Sequence, residues 1–422
     1  AVNAVGAAQL ANNAVDTAAL IDASVTGTKI AAGAVGSAQI NSAQVQARIA
    51  GSCPPDTYIS GINADGSVSC MIPPVTIRRT LPIADVVVEG IDLALRADQR
   101  PVLVYRQAAG ARLALYDCVD PTCSSGTART LDPDTTTGSR NRIAVRSDGR
   151  PVIAYYDATA GDLKLYDCAN QACSSGTART LQTSGDVGRD VSIALRVNDR
   201  PVLAYYAAGS GNLGFYDCAN PTCSSGLGRT LEFTDDVGNS TGIAVRPSGN
   251  PIISHYDASN GQLRLRICSA PDCSASTATN LGVVQDHGLA NAIALRSTGL
   301  PTVVFHEPGA GRIWVSTCND SCSAALSEVA STGIAPLTTG LALAIGSANR
   351  PLIAFRDGQR LGLIACANES CSTSSFKTLD DAGVVGAFPT MAVRSDGRVV
   401  VAHGVVAGNS IRLVICGNET CQ

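Results

Sequence analysis

Lysine is nearly missing from this chain. Of 31 basic residues only Lys29, Lys164 and Lys377 are lysines, and the rest are arginines. Charge is sparse, 16% of residues against a usual share of about 25%, and the formal net charge is −4. There is thus no electrostatic basis for gripping nucleic acid or an anionic membrane surface. No apolar run approaches the ~20 residues of a spanning helix. The sequence starts at Ala1 without a basic-then-apolar leader and is read as a mature, processed chain.

What is present is a period of 50 residues. Segments starting at Pro101, Pro151, Pro201, Pro251, Pro301 and Pro351 read PVLVY, PVIAYY, PVLAYY, PIISHY, PTVVF and PLIAF, and a seventh, VVVAH, starts at Val399. Each follows a turn such as SDGR (147–150), and each turn follows a short apolar strand such as LALR (93–96) or IAVR (143–146). A third strand (LKLYDC, 163–168) and a fourth (ARTL, 178–181) complete the unit. Four short strands per 40–50 residues read as a propeller blade. The fold class is therefore all-β, a seven-bladed β-propeller of four-stranded blades. The seventh unit lacks a fourth strand before the chain ends, while residues 76–81, TIRRTL, resemble the fourth strands of the other units. This segment is expected to complete the last blade and close the ring, because an open ring leaves two unpaired edges.

Sixteen cysteines fall into eight local pairs: Cys53/Cys70, Cys118/Cys123, Cys168/Cys173, Cys218/Cys223, Cys268/Cys273, Cys318/Cys322, Cys366/Cys371 and Cys416/Cys421. Zinc sites also use close cysteines but need four ligands, and pairs in neighbouring blades stand apart. Local disulfides fit the even count, and they imply an oxidising, extracellular compartment.

The chemistry is thin. Glycoside hydrolysis commonly needs converging carboxylates, yet the Glu residues are only Glu89, Glu232, Glu307, Glu328, Glu369 and Glu419. With Trp314 the sole tryptophan, in a third strand, an S-x-D-x-G-x-x-W box is absent. No nucleophile-elbow, phosphate-loop or dinucleotide fingerprint stands in a suitable context. His255 and His403 align with aromatic residues of other blades and read as packing substitutes; His287 and His306 make no recognisable set. The expectation is a protein that is not an enzyme, with no catalytic residue, cofactor or metal. Arg96, Arg146, Arg196, Arg246, Arg296 and Arg394 end six of seven first strands. They read either as an anion-binding ring or as inter-blade hydrogen bonds to carbonyls or to Asp117, Asp167 and Asp217; repetition favours the scaffold. Strand direction puts the disulfide loops on one face, and the second-to-third turns (157–162) and blade connections (182–190) on the other. That more variable face is where ligand contact is expected. Asp157, Asp257, Glu307 and Asp357 are its candidates, against a turn-forming reading of the aspartates.

Residues 1–50 keep a different period, ten. Val5, Leu10, Val15, Leu20, Val25, Ile30, Val35, Ile40 and Val45 recur among small polar residues. One such chain buries too little apolar surface to order itself, so the register points to assembly with other copies. The run NNAVDTAALIDASVTGTKIAAGAVGSAQI resembles stalk repeats of phage fibres and bacterial surface-fibre proteins, which implies a homotrimeric stalk. The blade motif DGRPVIAYYDATAGDLKLYDC resembles repeat propellers of secreted bacterial proteins, which implies fold and secretion and transfers no active site.

The expected organisation is an assembly segment at 1–50, a disulfide-closed hairpin-like connector at 51–74 and a propeller at 75–422. The expected function is that of a secreted subunit of a multi-copy fibre or filament on a cell or virion surface. Its partners would be other copies of itself and, separately, surface glycans; neither nucleic acid nor a membrane span is expected. The alternative is a glycan- or receptor-binding adhesin or tail-fibre head, and behind it a propeller glycosidase.

Overall fold

The computed structural model describes residues 25–32, 34–35, 51–53, 57–71, 76–83, 86–133, 141–281, 287–320, 322, 326–331 and 340–421. Two compact units emerge, Ala1–Met71 and Ile72–Gln422. In the first, strands Tyr58–Ile62 and Val68–Met71 form an antiparallel hairpin. Its turn is built by Asp65, whose carboxylate accepts the Ser67 N–H at 2.9 Å, and the Cys53–Cys70 disulfide ties its base.

The second unit is a seven-bladed β-propeller. Its seven sheets each have four antiparallel strands. In blade one these are Val86–Leu95, Pro101–Gln107, Leu113–Cys118 and Gly126–Asp132, from the axis outward. The first strands of blades one, three, four and seven run longer than their four-residue apolar cores suggest. Several begin inside what reads as a connection and carry a bulge, as between Arg189 and Ser192 or Asn239 and Gly242. Blade seven holds Ala387–Val393, Val399–Val405 and Ser410–Ile415, and Ile77–Thr80 pairs with the last of these to close the ring.

Second strands are apolar at nearly every position because both faces of each blade are covered. Alternate residues serve opposite seams: Ile153 and Tyr155 pack toward blade one, Val152 and Ala154 toward blade three. The buried apolar residues fall into seven clusters, one per seam. With few aromatics, Val, Leu, Ile and Ala fill them.

The first-strand arginines bolt each blade to the next. Arg96 of blade one donates to the Gln171 carbonyl in the disulfide loop of blade two at 2.5 Å. Arg146 reaches Pro221 O at 2.6 Å, Arg196 reaches Pro271 O, and Arg246 reaches Asp320 O at 3.2 Å. Arg296 meets the Glu369 carboxylate, and Arg394 closes the circle on Pro121 O. Five of the six acceptor residues stand third after the first cysteine of their loop; Asp320 stands second, in the loop that is one residue shorter. Three of these arginines are also anchored to a carboxylate of their own blade: Arg96–Asp117 at 2.9 Å, Arg146–Asp167 at 2.8 Å, and Arg196–Asp217. Arg394 has no such anchor in its own third strand, and burial pushes its guanidinium down to about 10.

Blade six breaks the pattern and compensates for it. Gly346 stands where arginine is expected, and Glu419 from the loop of blade seven reaches over it. Glu419 accepts from Ser347 N–H at 2.5 Å, Ser347 Oγ at 2.6 Å and Arg350 at 2.5 Å. A Cβ at position 346 would lie 1.9 Å from Glu419 Oε1, so the glycine is what admits the carboxylate.

The eight disulfides join Cys53–Cys70, Cys118–Cys123, Cys168–Cys173, Cys218–Cys223, Cys268–Cys273, Cys318–Cys322, Cys366–Cys371 and Cys416–Cys421. In every blade the second cysteine sits at a left-handed φ, from 48° at Cys173 to 57° at Cys421. An L residue resists that conformation by about 1–2 kcal/mol. The bridge holds the loop in it, and so holds the acceptor toward the arriving arginine.

Leu81 tests the closure. It is buried in the seam between blades seven and one, and its N–H donates to Ile411 O at 2.9 Å. Leu81→Ala should lower the free energy of unfolding by about 2–5 kcal/mol, the range for a buried leucine truncated in a packed core. Denaturant unfolding measures this; a loss under about 0.5 kcal/mol, the scatter of surface substitutions, would mean that the strand does not belong to the ring.

Candidate binding site at the channel mouth

First strands of all seven blades surround one axial cavity of about 240 Å3, at the end where those strands begin. It therefore opens on the face of the blade connections, away from the disulfide loops. One repeat position contributes Asp92, Arg142, Ser192, Gly242, Ala292, Ala342 and Thr390 in turn round the ring. These residues are interchangeable in the repeat and differ in chemistry, which is how a repeat fold individualises a site.

Asp92 is a stitch between three blades. Its carboxylate accepts the Ile143 N–H at 3.0 Å and the Thr390 hydroxyl at 2.8 Å. The Ser192 and Thr241 hydroxyls lie 3.1 Å apart. Asn291 is committed, donating to Ser240 O and Gly288 O at 2.8 Å each and accepting from Ser254 at 2.7 Å. Among the described lining residues Asp92 and Arg142 carry charge, and of the two Arg142 is the lightly held one; it donates to Asn141 O at 3.3 Å. The bulges at the rim place Asp190, Ser240 and Phe388 at left-handed φ of 47°, 51° and 46°. Such strain costs roughly 1–3 kcal/mol per residue and clusters where a fold positions groups for use.

The four turn carboxylates predicted for this face stand in separate blades, and no contact among the described residues joins one to another. Asp157 accepts the N–H groups of Thr159 at 3.0 Å and Ala160 at 3.2 Å. Asp257 accepts from Asn260 N–H at 3.0 Å and pairs with Arg264 at 3.2 Å. Glu307 accepts the Trp314 indole N–H at 2.9 Å. Asp357 is half-buried and lines an open depression with Arg360 and Asp381.

Two of these belong to buried acid–cation clusters that local reading missed. An acid ending the fourth strand of one blade reaches a cation in the third strand of the next, 32 positions on: Asp132 with Lys164 at 2.9 Å, Glu232 with Arg264 at 2.5 Å, and Asp380 with Arg412 at 2.6 Å. Tyr155 Oη donates to Asp132 at 2.5 Å, and His255 and His403 contact Glu232 and Asp380 at 3.2 Å and 3.1 Å. The two histidines thus do more than fill aromatic places, since each meets a carboxylate across a seam. The signal was present in the sequence: blades without the acid carry Gly, Ala or Trp in place of the cation. Both histidines and their acids are enclosed, so these clusters fasten seams rather than face solvent. Among the described residues no group of three His, Cys, Asp or Glu is placed to hold a metal ion.

No protein-family model and no curated protein matches the sequence. Solved structures match in fold. A puromycin hydrolase is 16% identical with a TM-score of 0.46, over 81% of this chain and 54% of that one. A polysaccharide lyase is 8% identical with a TM-score of 0.48, over 78% and 90%. The SapL1 lectin, in complex with alpha methyl fucoside, is 13% identical with a TM-score of 0.43, over 76% and 90%. This chain spans about half the length of the hydrolase, 54%, and the likenesses concern architecture alone.

They correct one expectation. The scarcity of catalytic signatures was read as marking a protein that is not an enzyme; that reading is overturned, because the architecture is shared with a hydrolase and a lyase. The physical reason is that a propeller site is assembled from several blades, each giving one residue, and leaves no linear motif.

The seam clusters give a pH prediction. Burial pushes the Asp380 carboxyl up, but hydrogen bonds from His403, Arg412 and the Ala382 N–H outweigh it and hold the group well below the usual carboxylate range. A depressed folded value means stability is fully present above the unfolded value near 4 and is lost as pH falls through the folded one. Thermal unfolding between about pH 2 and pH 7 should show stability falling on the acid side, and Asp380→Asn should flatten that fall while lowering stability at neutral pH. An unchanged acid slope in the variant would show that Asp380 does not carry it.

Proposed function

We propose that this protein is an extracellular subunit of a multi-copy fibre, assembled through residues 1–50 and displaying the propeller as its head. The supporting observation is exposure of the decapeptide register. Of its apolar positions, Val25, Ile30 and Val35 are described, and they are 52%, 41% and 49% exposed. Val5, Leu10, Val15, Leu20, Ile40 and Val45 lie outside the described residues. The hairpin shares the property, with Tyr58, Ile59, Ile62 and Met71 also exposed. The propeller buries its own apolar residues in seven seams. Regularly spaced apolar side chains left outside a fold mark an interaction surface. An identical ten-residue period in every copy lets copies pack in register, which makes other copies of this chain the fitting occupant. On this reading residues 51–74 connect stalk to head, and the disulfides suit an oxidising exterior. The stalk resemblance favours a closed trimer; a head-to-tail contact would give an open filament.

Sedimentation and negative-stain electron microscopy of the full chain, beside a version starting at residue 51, test this. The full chain should form trimers or filaments and the shortened one single propellers. Monomers from both would overturn the proposal.

A further inference from the structure

Among the described residues, Arg142 is the one charged side chain lining the channel mouth that the fold does not spend. The clamp arginines each meet a carbonyl or carboxylate of a neighbouring blade. Arg142 makes one hydrogen bond, to the carbonyl of its own neighbour Asn141 at 3.3 Å, and among the described residues no carboxylate lies in ion-pair range of it. Asp92, in the adjacent blade, is already occupied by Ile143 N–H and the Thr390 hydroxyl. A guanidinium carries five N–H donors in a planar fork suited to a carboxylate. Half-buried and with most of its donors uncommitted within the protein, Arg142 can offer an anion a bidentate, charge-assisted pair.

The surroundings narrow the anion. The cavity of about 240 Å3 has room for one ring-sized group. Gly242, Ala292 and Ala342 leave the far wall open. Ser192 and Thr241 line the same space; their hydroxyls, 3.1 Å apart, spend their protons on each other and on the Asp190 and Ala204 carbonyls, and their remaining lone pairs can accept from ligand hydroxyls. Phe388, held at a left-handed φ of 46°, adds an apolar ring to the lining. We propose that the mouth binds an acidic sugar, with its carboxylate on Arg142, its hydroxyls on Ser192 and Thr241, and its C–H face against Phe388. The inference concerns the head alone and is independent of self-assembly.

Isothermal calorimetry on the full chain with galacturonate, galactose and acetate tests it. Galacturonate should bind, and galactose and acetate should bind at least tenfold more weakly. Arg142→Gln should weaken galacturonate tenfold or more at unchanged melting temperature, and Arg142→Lys should retain part of the affinity. Equal binding of galactose, equal binding of acetate (a generic anion site), galacturonate affinity unchanged in Arg142→Gln, or no binding of any probe would each overturn the proposal. Should Arg142→Gln not fold, the comparison of the three probes on the native chain decides.

Discussion

The hydrogen bond from a buried arginine in one blade to the disulfide loop of the next is the contact on which the ring depends. A propeller blade has no covalent hold on its neighbour except a short connection, so each seam needs its own fastening. Apolar burial supplies most of the energy, but it is non-directional and would let blades slide. The arginine fixes the angle. Its guanidinium is planar, stays charged when enclosed and donates in several directions at once, which is why arginine and not lysine stands at these six positions. The disulfide has a matching task. It holds the second cysteine in a conformation an unbridged residue avoids, and so keeps the acceptor where the arginine arrives. The exceptional blade makes the same point: Gly346 gives up the donor, and Glu419 in the opposing loop becomes an acceptor for the neighbouring turn.

Against this uniform fastening, the seams are individualised. Three carry a buried carboxylate matched by a Lys or Arg in the facing blade, and two of those add a histidine. Removing either partner leaves an enclosed charge, which is far costlier than omitting both. That asymmetry explains why acid and cation occur together or not at all. The same logic isolates Arg142, a cation at a repeat position without its acid.

Much of this was legible in the sequence. The 50-residue period, the four strands per unit, the missing last strand and its supply from residues 76–81 are local signals, because each blade is built from neighbouring residues. The arginine ring was legible as a pattern, with its scaffold and anion-binding readings both open; only the distances to Gln171, Pro221 and Asp320 decide between them. The channel mouth was not legible. Asp92 and Arg142 belong to different blades, and neither stands in a motif; they become neighbours only when the ring brings first strands together at its axis. The paired Asp380 and Arg412 escaped for a related reason, since their 32-residue spacing crosses a blade boundary and strand alternation hides it. The turn carboxylates drew attention because they are local, and locality is also why Asp157 and Asp257 find partners in their own turns.

The most direct measurement is a double-mutant cycle between a clamp arginine and the disulfide of the loop it holds: Arg146→Met, the pair Cys218→Ala and Cys223→Ala, and all three together, by equilibrium unfolding. If the disulfide serves to present the Pro221 carbonyl to Arg146, the two losses overlap and the combined variant is less destabilised than their sum, by about 1 kcal/mol or more, as for groups sharing one interaction. Losses that add to within about 0.5 kcal/mol would show that arginine and disulfide act separately, and would contradict the account.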